Sequence, residues 1–213
     1  MATQTQSPPP IGEARPLPPH PLTYDEFLEW AEDGSFVEWV DGKVEFMSPV
    51  SLPHTDIGVF LSRLLAEYAE QHGGGRVLTA PFQMKLSNVK RGREPDLMFV
   101  AKSEMARLTH TYLDGPATIA VEIVSPESRL RDRETKYAEY QQEGVREYWL
   151  IDPELKQADF FVLDAQGKYE RHAPSADGVY HSTALPGIWM RTQWLWQDPL
   201  PTMRQVRSEW GIA

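Results

Sequence analysis

Apolar residues return every three or four positions at Ile57, Phe60, Leu61, Leu64, Leu65 and Tyr68, the spacing that gives a helix one buried face. Gly73, Gly74 and Gly75 end that helix. Ahead of it, Thr23 followed by Glu26 is a capping box that opens a short helix to about Trp30, with Phe27 and Leu28 turned inward. Between the two helices, 36–40 and 43–47 are β-prone runs joined by Asp41-Gly42, a pair suited to a type I′ turn because both central positions need positive φ. Further strands are predicted over 76–86, with a break at Pro81, then over 96–101 and 118–124. The last run is mostly apolar, as a strand covered on both faces would be. A helix over about 130–143 is stopped by Gly144, and a strand over 147–152 follows. From Ala158 to about Leu185 the pattern becomes an antiparallel meander with strands over 160–163, 169–172 and 179–184. This order predicts an α/β (α+β) fold: a mixed β-sheet flanked by helices, with a C-terminal antiparallel meander.

Residues 1–21 hold seven prolines and almost nothing apolar to anchor them, so they read as a disordered Pro-rich tail. Residues 22–200 then form a single domain, and 201–213 a C-terminal tail. A chain of 213 residues, 41% apolar, is long enough to bury one substantial core. Trp189, Trp194 and Trp196 read as late core or a dimer surface. No apolar run approaches the roughly 18 residues that cross a bilayer, and the first residues lack the pattern of a secretory signal. No membrane and a cytoplasmic address are expected. With no cysteine there is no disulfide framework and no thiolate-bound zinc, which leaves oxygen and imidazole donors and hard cations such as Mg²⁺ or Mn²⁺.

The formal charge of −10 runs against a grip on phosphates. Two local clusters break the trend: Lys85, Lys90, Arg91 and Arg93, then Arg129, Arg131, Arg133 and Lys136. Either cluster reads equally well as solvated charge or as a phosphate-facing patch.

Two acids stand out by position. Glu122 is surrounded by Ile119, Ala120, Val121, Ile123 and Val124, and a lone carboxylate there costs several kcal/mol unless it is neutralised, paired or bound to a cation. Asp96 heads the apolar run Leu97, Met98, Phe99 and Val100. If the two strands are neighbours, the carboxylates meet at one end of the sheet and can hold a divalent cation. Lys136, on the next predicted helix, is placed to assist, or else forms an exposed pair with Asp132.

At these residues the chain resembles a known family. Glu94-Pro95-Asp96-Leu97, the run from Val121 to Ser128, Lys136 with Tyr140, Gly144-Val145 and the run from Glu147 to Asp152 are similar to the Uma-type restriction endonucleases, a branch of the PD-(D/E)XK nuclease superfamily. Upstream, 23–27, 38–42, Met47-Ser48-Pro49 and His54 fit the same pattern, so the resemblance spans about Leu22 to Leu195. It implies the restriction-endonuclease-like fold, DNA as substrate, Mg²⁺ or Mn²⁺ as cofactor, and Asp96 and Glu122 as metal ligands and catalytic acids. The lysine usual two residues beyond the glutamate is replaced by Val124, and the resemblance assigns that charge to Lys136. Glu38 is either a further catalytic acid or an exposed hairpin acid. His54 is either a phosphate or proton-transfer group or a packing residue, and Tyr140 lies one turn beyond Lys136. Two functions follow: a metal-dependent endonuclease, working as a homodimer where both strands are cut, or an inactive nucleic-acid or protein binding module that keeps the fold.

Overall fold

The computed structural model describes residues 17, 18, 20–31, 37–46 and 49–212. Most of the expected N-terminal tail therefore lies outside the described residues, as do Phe36, Met47 and Ser48.

Helix α1 (Tyr24–Trp30) carries the capping box at Thr23 and Glu26, and the hairpin β1 (Val37–Val40) and β2 (Lys43–Phe46) turns at Asp41 and Gly42, both at positive φ. Helix α2 (Leu52–Gln71) follows, then β3 (Gly75–Thr79), β4 (Gln83–Leu86), β5 (Arg91–Arg93), β6 (Leu97–Ala101), β7 (Tyr112–Asp114) and β8 (Ile119–Ile123). A π-helical segment (Arg131–Lys136) runs into α3 (Tyr137–Glu143), which ends on Gly144 in the left-handed conformation. Strands β9 (Glu147–Asp152), β10 (Gln157–Leu163), β11 (Tyr169–Arg171), β12 (Val179–His181) and β13 (Trp189–Arg191) come next, and α4 (Met203–Trp210) is the last element.

Two sheets carry the fold. The larger has the order β11-β10-β9-β8-β6-β3, with β8 and β9 parallel and the other neighbours antiparallel. The smaller has the order β2-β1-β5-β4-β7. Strand alternation divides the larger sheet's side chains between two cores. Leu97, Phe99, Ile119, Val121, Ile123, Trp149 and Ile151 pack with α2 and the C-terminal elements. Met98, Val100, Ala120, Val124, Tyr148 and Leu150 pack on the other face with α3 and the smaller sheet. Glu122 shares the second face by parity, so its strand is apolar on both sides and its carboxylate is enclosed. The chain thus has the mixed α/β fold its pattern predicts, with sheets flanked by helices.

Four local expectations change. The run over 76–86 is two strands in different sheets, because the chain turns at Ala80-Pro81 instead of continuing. Arg91–Arg93 forms strand β5 without any apolar alternation, held by pairing with β1 and β4. In the meander, β12 leaves β11 and pairs with β13, because Tyr180 stacks on Phe160 and carries the segment over the α2 face. Past residue 200, where the pattern predicts only a tail, Thr202 and Gln205 form a capping box and α4 buries Met203 and Val206 against the core. Trp194 is buried in that core, and Trp189 and Trp196 pack on it.

Candidate active site

Strands β6 and β8 are adjacent, with Leu97 across from Val121, so one step along the register sets Asp96 across from Glu122. The link is direct: the amide N–H of Ile123 donates to Asp96 Oδ2 at 2.7 Å. Asp96 Oδ1 meets His54 Nε2 at 3.1 Å, which ties the first turn of α2 to the acid pair.

Glu122 is enclosed on every side. Tyr140 donates its hydroxyl to Oε1 at 2.6 Å, and Lys136 Nζ stands 2.9 Å from Oε2. Val124, two residues on, faces the same way but is buried among apolar side chains, so the ammonium comes from the helix and not from the strand. The π-helical turn is what delivers it. One extra residue in the turn widens the helix locally and re-aims the side chains that follow. Lys136, 1% exposed, also lies 3.3 Å from Glu38 Oε1 and 3.6 Å from Asp132 Oδ1.

Glu38 is not an exposed hairpin acid. It is 0% exposed and accepts from Arg93 Nη1 at 2.6 Å and from the Glu94 amide at 3.3 Å. Burial alone would raise its pKa, but Lys136, Arg93 and Arg131 outweigh that and hold it near 2. Glu122 goes the other way: burial lifts it to about 8, Lys136 pulls against the shift, and Asp132, Asp96 and Glu38 add to it. Glu94 also reaches about 8, from burial first, with Glu38 adding and Gln83 and Lys136 opposing. Asp132 is raised by burial too, against the pull of Lys136. Lys136 itself is raised, because Glu122, Glu38 and Asp132 overcome its burial. The cluster therefore has more carboxylate than cation, titrates as a unit, and retains a proton near neutral pH.

A cavity of about 80 Å³ opens among these groups, lined by His54, Glu94, Asp96, Glu122, Asp132 and Lys136, with Arg131 at its edge. Four buried polar atoms on its lining residues lack a hydrogen-bond partner among the described residues: Asp132 Oδ1, Glu94 Oε2, His54 Nδ1 and Arg131 Nε. Also among the described residues, no three of His, Asp and Glu are gathered closely enough to form a ready-made metal cage.

The structure thus brings together Asp96, Glu122, Lys136, Glu38, His54 and Tyr140. Sequence reasoning misses Glu94, Arg93 and Glu139, and it takes Asp132 only as a surface partner of Lys136. Glu94 has one signal, its place two residues before Asp96 in the Glu94-Pro95-Asp96 run that links β5 to β6. The basic clusters resolve differently from either reading. Arg93 is buried against Glu38 and Glu139, Arg91 pairs with Glu139 and Asp41, and Lys85 lies over the rings of Tyr24 and Tyr112. Arg129 and Arg133 pair with Asp152. Lys90 is exposed and, like Arg131 of the second cluster, makes no ion pair with a described residue, so most of both clusters is spent on internal partners.

Compared with known proteins, residues 24–193 match the model of the Uma2 family, described as "Putative restriction endonuclease". Among curated proteins nothing matches. Among solved structures the fold is similar to "a putative nuclease belonging to DUF820 from Anabaena variabilis", with a TM-score of 0.68 at 18% identity over 83% of this chain and 98% of that one. No helix of the described residues is long and apolar enough to cross a membrane.

Proposed function

This chain belongs to the Uma2 family of restriction-endonuclease-like proteins, and from that membership we propose that it is an endonuclease that hydrolyses DNA phosphodiester bonds with Mg²⁺ or Mn²⁺. One observation carries the reading: Lys136 Nζ lies 2.9 Å from Glu122, so the lysine absent at Val124 is supplied from the helix to the same carboxylate.

The donors suit a hard cation. They are carboxylate and imidazole, they outnumber the local cations, and Asp132, Glu94 and His54, which line one small cavity, each have a buried atom without a hydrogen bond among the described residues. Asp96 and Glu122 would hold the ion, which would polarise the phosphate and lower the pKa of a bound water. The chain's own groups do the rest. His54 and the Ile123 amide fix Asp96, and Tyr140 fixes Glu122. Lys136 keeps its proton at any working pH because its pKa is raised, so it serves to offset negative charge developing on the phosphate and not as a base. Glu94, whose Oε2 has no hydrogen bond among the described residues, takes a proton from the attacking water only in its ionised form, which burial confines to pH near and above 8.

The test is nicking of supercoiled plasmid in Mn²⁺ by the wild type, Glu122→Ala and Lys136→Ala, with melting temperature measured for each. Loss of nicking in both variants is expected, by about 100-fold or more. Mn²⁺ should raise the melting temperature of the wild type and not of Asp96→Ala. Equal nicking by all three proteins, or a Mn²⁺ response that survives Asp96→Ala, overturns the proposal.

A further inference from the structure

Beside Asp96 lies a second and much larger space, an open groove of about 680 Å³ that shares His54, Glu94, Asp96 and Ile123 with the acid-lined cavity. Its walls are chiefly aliphatic: Val50, Gly58, Val59, Leu97 and Ile123. Val50 and Val59 remain more than half exposed, at 52% and 56%. Apart from His54, Glu94 and Asp96, which it shares with the acid site, its polar groups are the hydroxyls of Thr55, Ser62 and Thr79 and the guanidinium of Arg63, which makes no ion pair with any described residue.

Resting on the nuclease reading, we propose that this groove receives an unpaired nucleobase, so that the strand cut at Asp96 and Glu122 is single-stranded or locally unpaired DNA and not intact duplex. The chemistry of the surface decides between the two. An intact duplex buries its base faces and presents phosphates, and holding it takes several cations in a row. Here Arg91, Arg93, Arg129, Arg133 and Lys136 are engaged with carboxylates and Lys85 lies over two aromatic rings, which leaves Lys90 and Arg131 as the cluster cations with no ion pair to a described residue, and the molecule carries −10 overall. An unpaired strand instead offers flat apolar base faces and edges that hydrogen-bond. Aliphatic walls with three hydroxyls match those faces and edges, and Arg63 matches one neighbouring phosphate. Continuity with the acid site through Asp96 sets the adjoining phosphate beside the proposed chemistry.

The experiment measures binding of a fluorescein-labelled oligothymidylate of about 12 nucleotides, and of a hairpin duplex of equal length, by anisotropy in Ca²⁺. Cleavage of both in Mn²⁺ is followed in parallel. The single strand should bind at least about tenfold more tightly than the hairpin and be cut in preference. Its Kd should change by less than about tenfold between 50 and 200 mM salt, against roughly 10³ or more for a backbone grip by six phosphates. Val59→Asp, at an exposed position outside the acid cluster, should weaken oligothymidylate binding by about tenfold while keeping the Mn²⁺-induced rise in melting temperature. Preference for the hairpin, with cleavage intact, overturns the groove and leaves the nuclease reading standing. Absence of cleavage together with a Mn²⁺ response indifferent to Asp96→Ala sinks the nuclease reading and this inference with it. Should Val59→Asp bind the oligonucleotide as wild type does, or merely convert a dimer to a monomer in sedimentation, the groove is no base site.

Discussion

At the scale of single residues, the site is governed by one ammonium shared among carboxylates that water does not reach. Replacing Lys136 with Met takes the neighbouring cation from buried Glu122 and Asp132, while Glu38 keeps Arg93, and a broken buried pair costs about 3–5 kcal/mol. Urea unfolding at pH 7 should show a loss of that size, and a loss under about 1 kcal/mol would mean that solvent reaches the cluster. The acids then set opposite pH limbs. Glu122 sits at about 8 when folded against an ordinary 4.5, so its contribution to stability is full below 4.5 and is lost as pH rises through 8. Glu38 sits at about 2, so its contribution is full above 4.5 and is lost as pH falls through 2. Glu122→Gln should therefore flatten the decline in stability between about pH 5 and 8, and Glu38→Gln should flatten the acid limb, both read from urea midpoints across pH. The same proton links to metal. Binding to Glu122 must displace it, so Mn²⁺ affinity should climb up to about tenfold per pH unit below 8, measured by calorimetry in buffers of different ionisation heat. A pH-independent affinity would detach the metal from Glu122.

At the scale of elements, the π-helical turn joins two anchors that an ordinary helix would not present together. Tyr148, on β9, donates its hydroxyl to the Asp132 carbonyl at 2.9 Å, and Lys136 at the other end reaches Glu122. Tyr148→Phe leaves that carbonyl buried without its donor, so unfolding free energy should fall by about 1–3 kcal/mol and the Mn²⁺-induced rise in melting temperature should shrink. A variant with unchanged stability and unchanged Mn²⁺ response would show that the turn holds without this bond. The contrast with β6 and β8 explains what is legible in the sequence. Strands whose side chains alternate between two cores write an apolar run with an isolated acid in it, so Asp96 and Glu122 stand out from their neighbours in the chain alone. A π turn writes no period, since a single extra residue in a helix leaves the surrounding spacing readable as helix, and the position of Lys136 in the chain is therefore as compatible with the surface as with the site. Arg91–Arg93 escapes notice for a related reason: a charged strand stabilised by its partners has no local signature. Helix α4 does carry a helical period, Met203, Val206 and Trp210, but over only two turns, so a reading of these residues as a tail passes over it.

At the scale of the whole molecule, net charge and site chemistry pull apart. A protein of charge −10 repels a polyanion at long range, and on the proposed function the groove and cavity offer attraction only within contact distance, through apolar walls, Arg63, Arg131 and the proposed cation. Long-range repulsion is screened by salt over a Debye length of about 8 Å at physiological ionic strength, whereas the contacts inside the groove are largely unaffected. The two terms predict an unusual dependence for a DNA-cutting enzyme. At fixed Mn²⁺, kcat/KM for a single-stranded oligonucleotide should rise or stay level as NaCl increases from about 20 to about 150 mM, because faster encounter offsets the weakening of one or two phosphate contacts. A nuclease that gripped its substrate through a basic face would slow by orders of magnitude over the same range. Stopped-flow association and single-turnover cleavage on one salt series separate encounter from chemistry. A steep fall in the association rate would mean that cations of this chain steer the strand, and since Arg91, Arg93, Arg129 and Arg133 are held by carboxylates here, those ion pairs would have to open for DNA to bind.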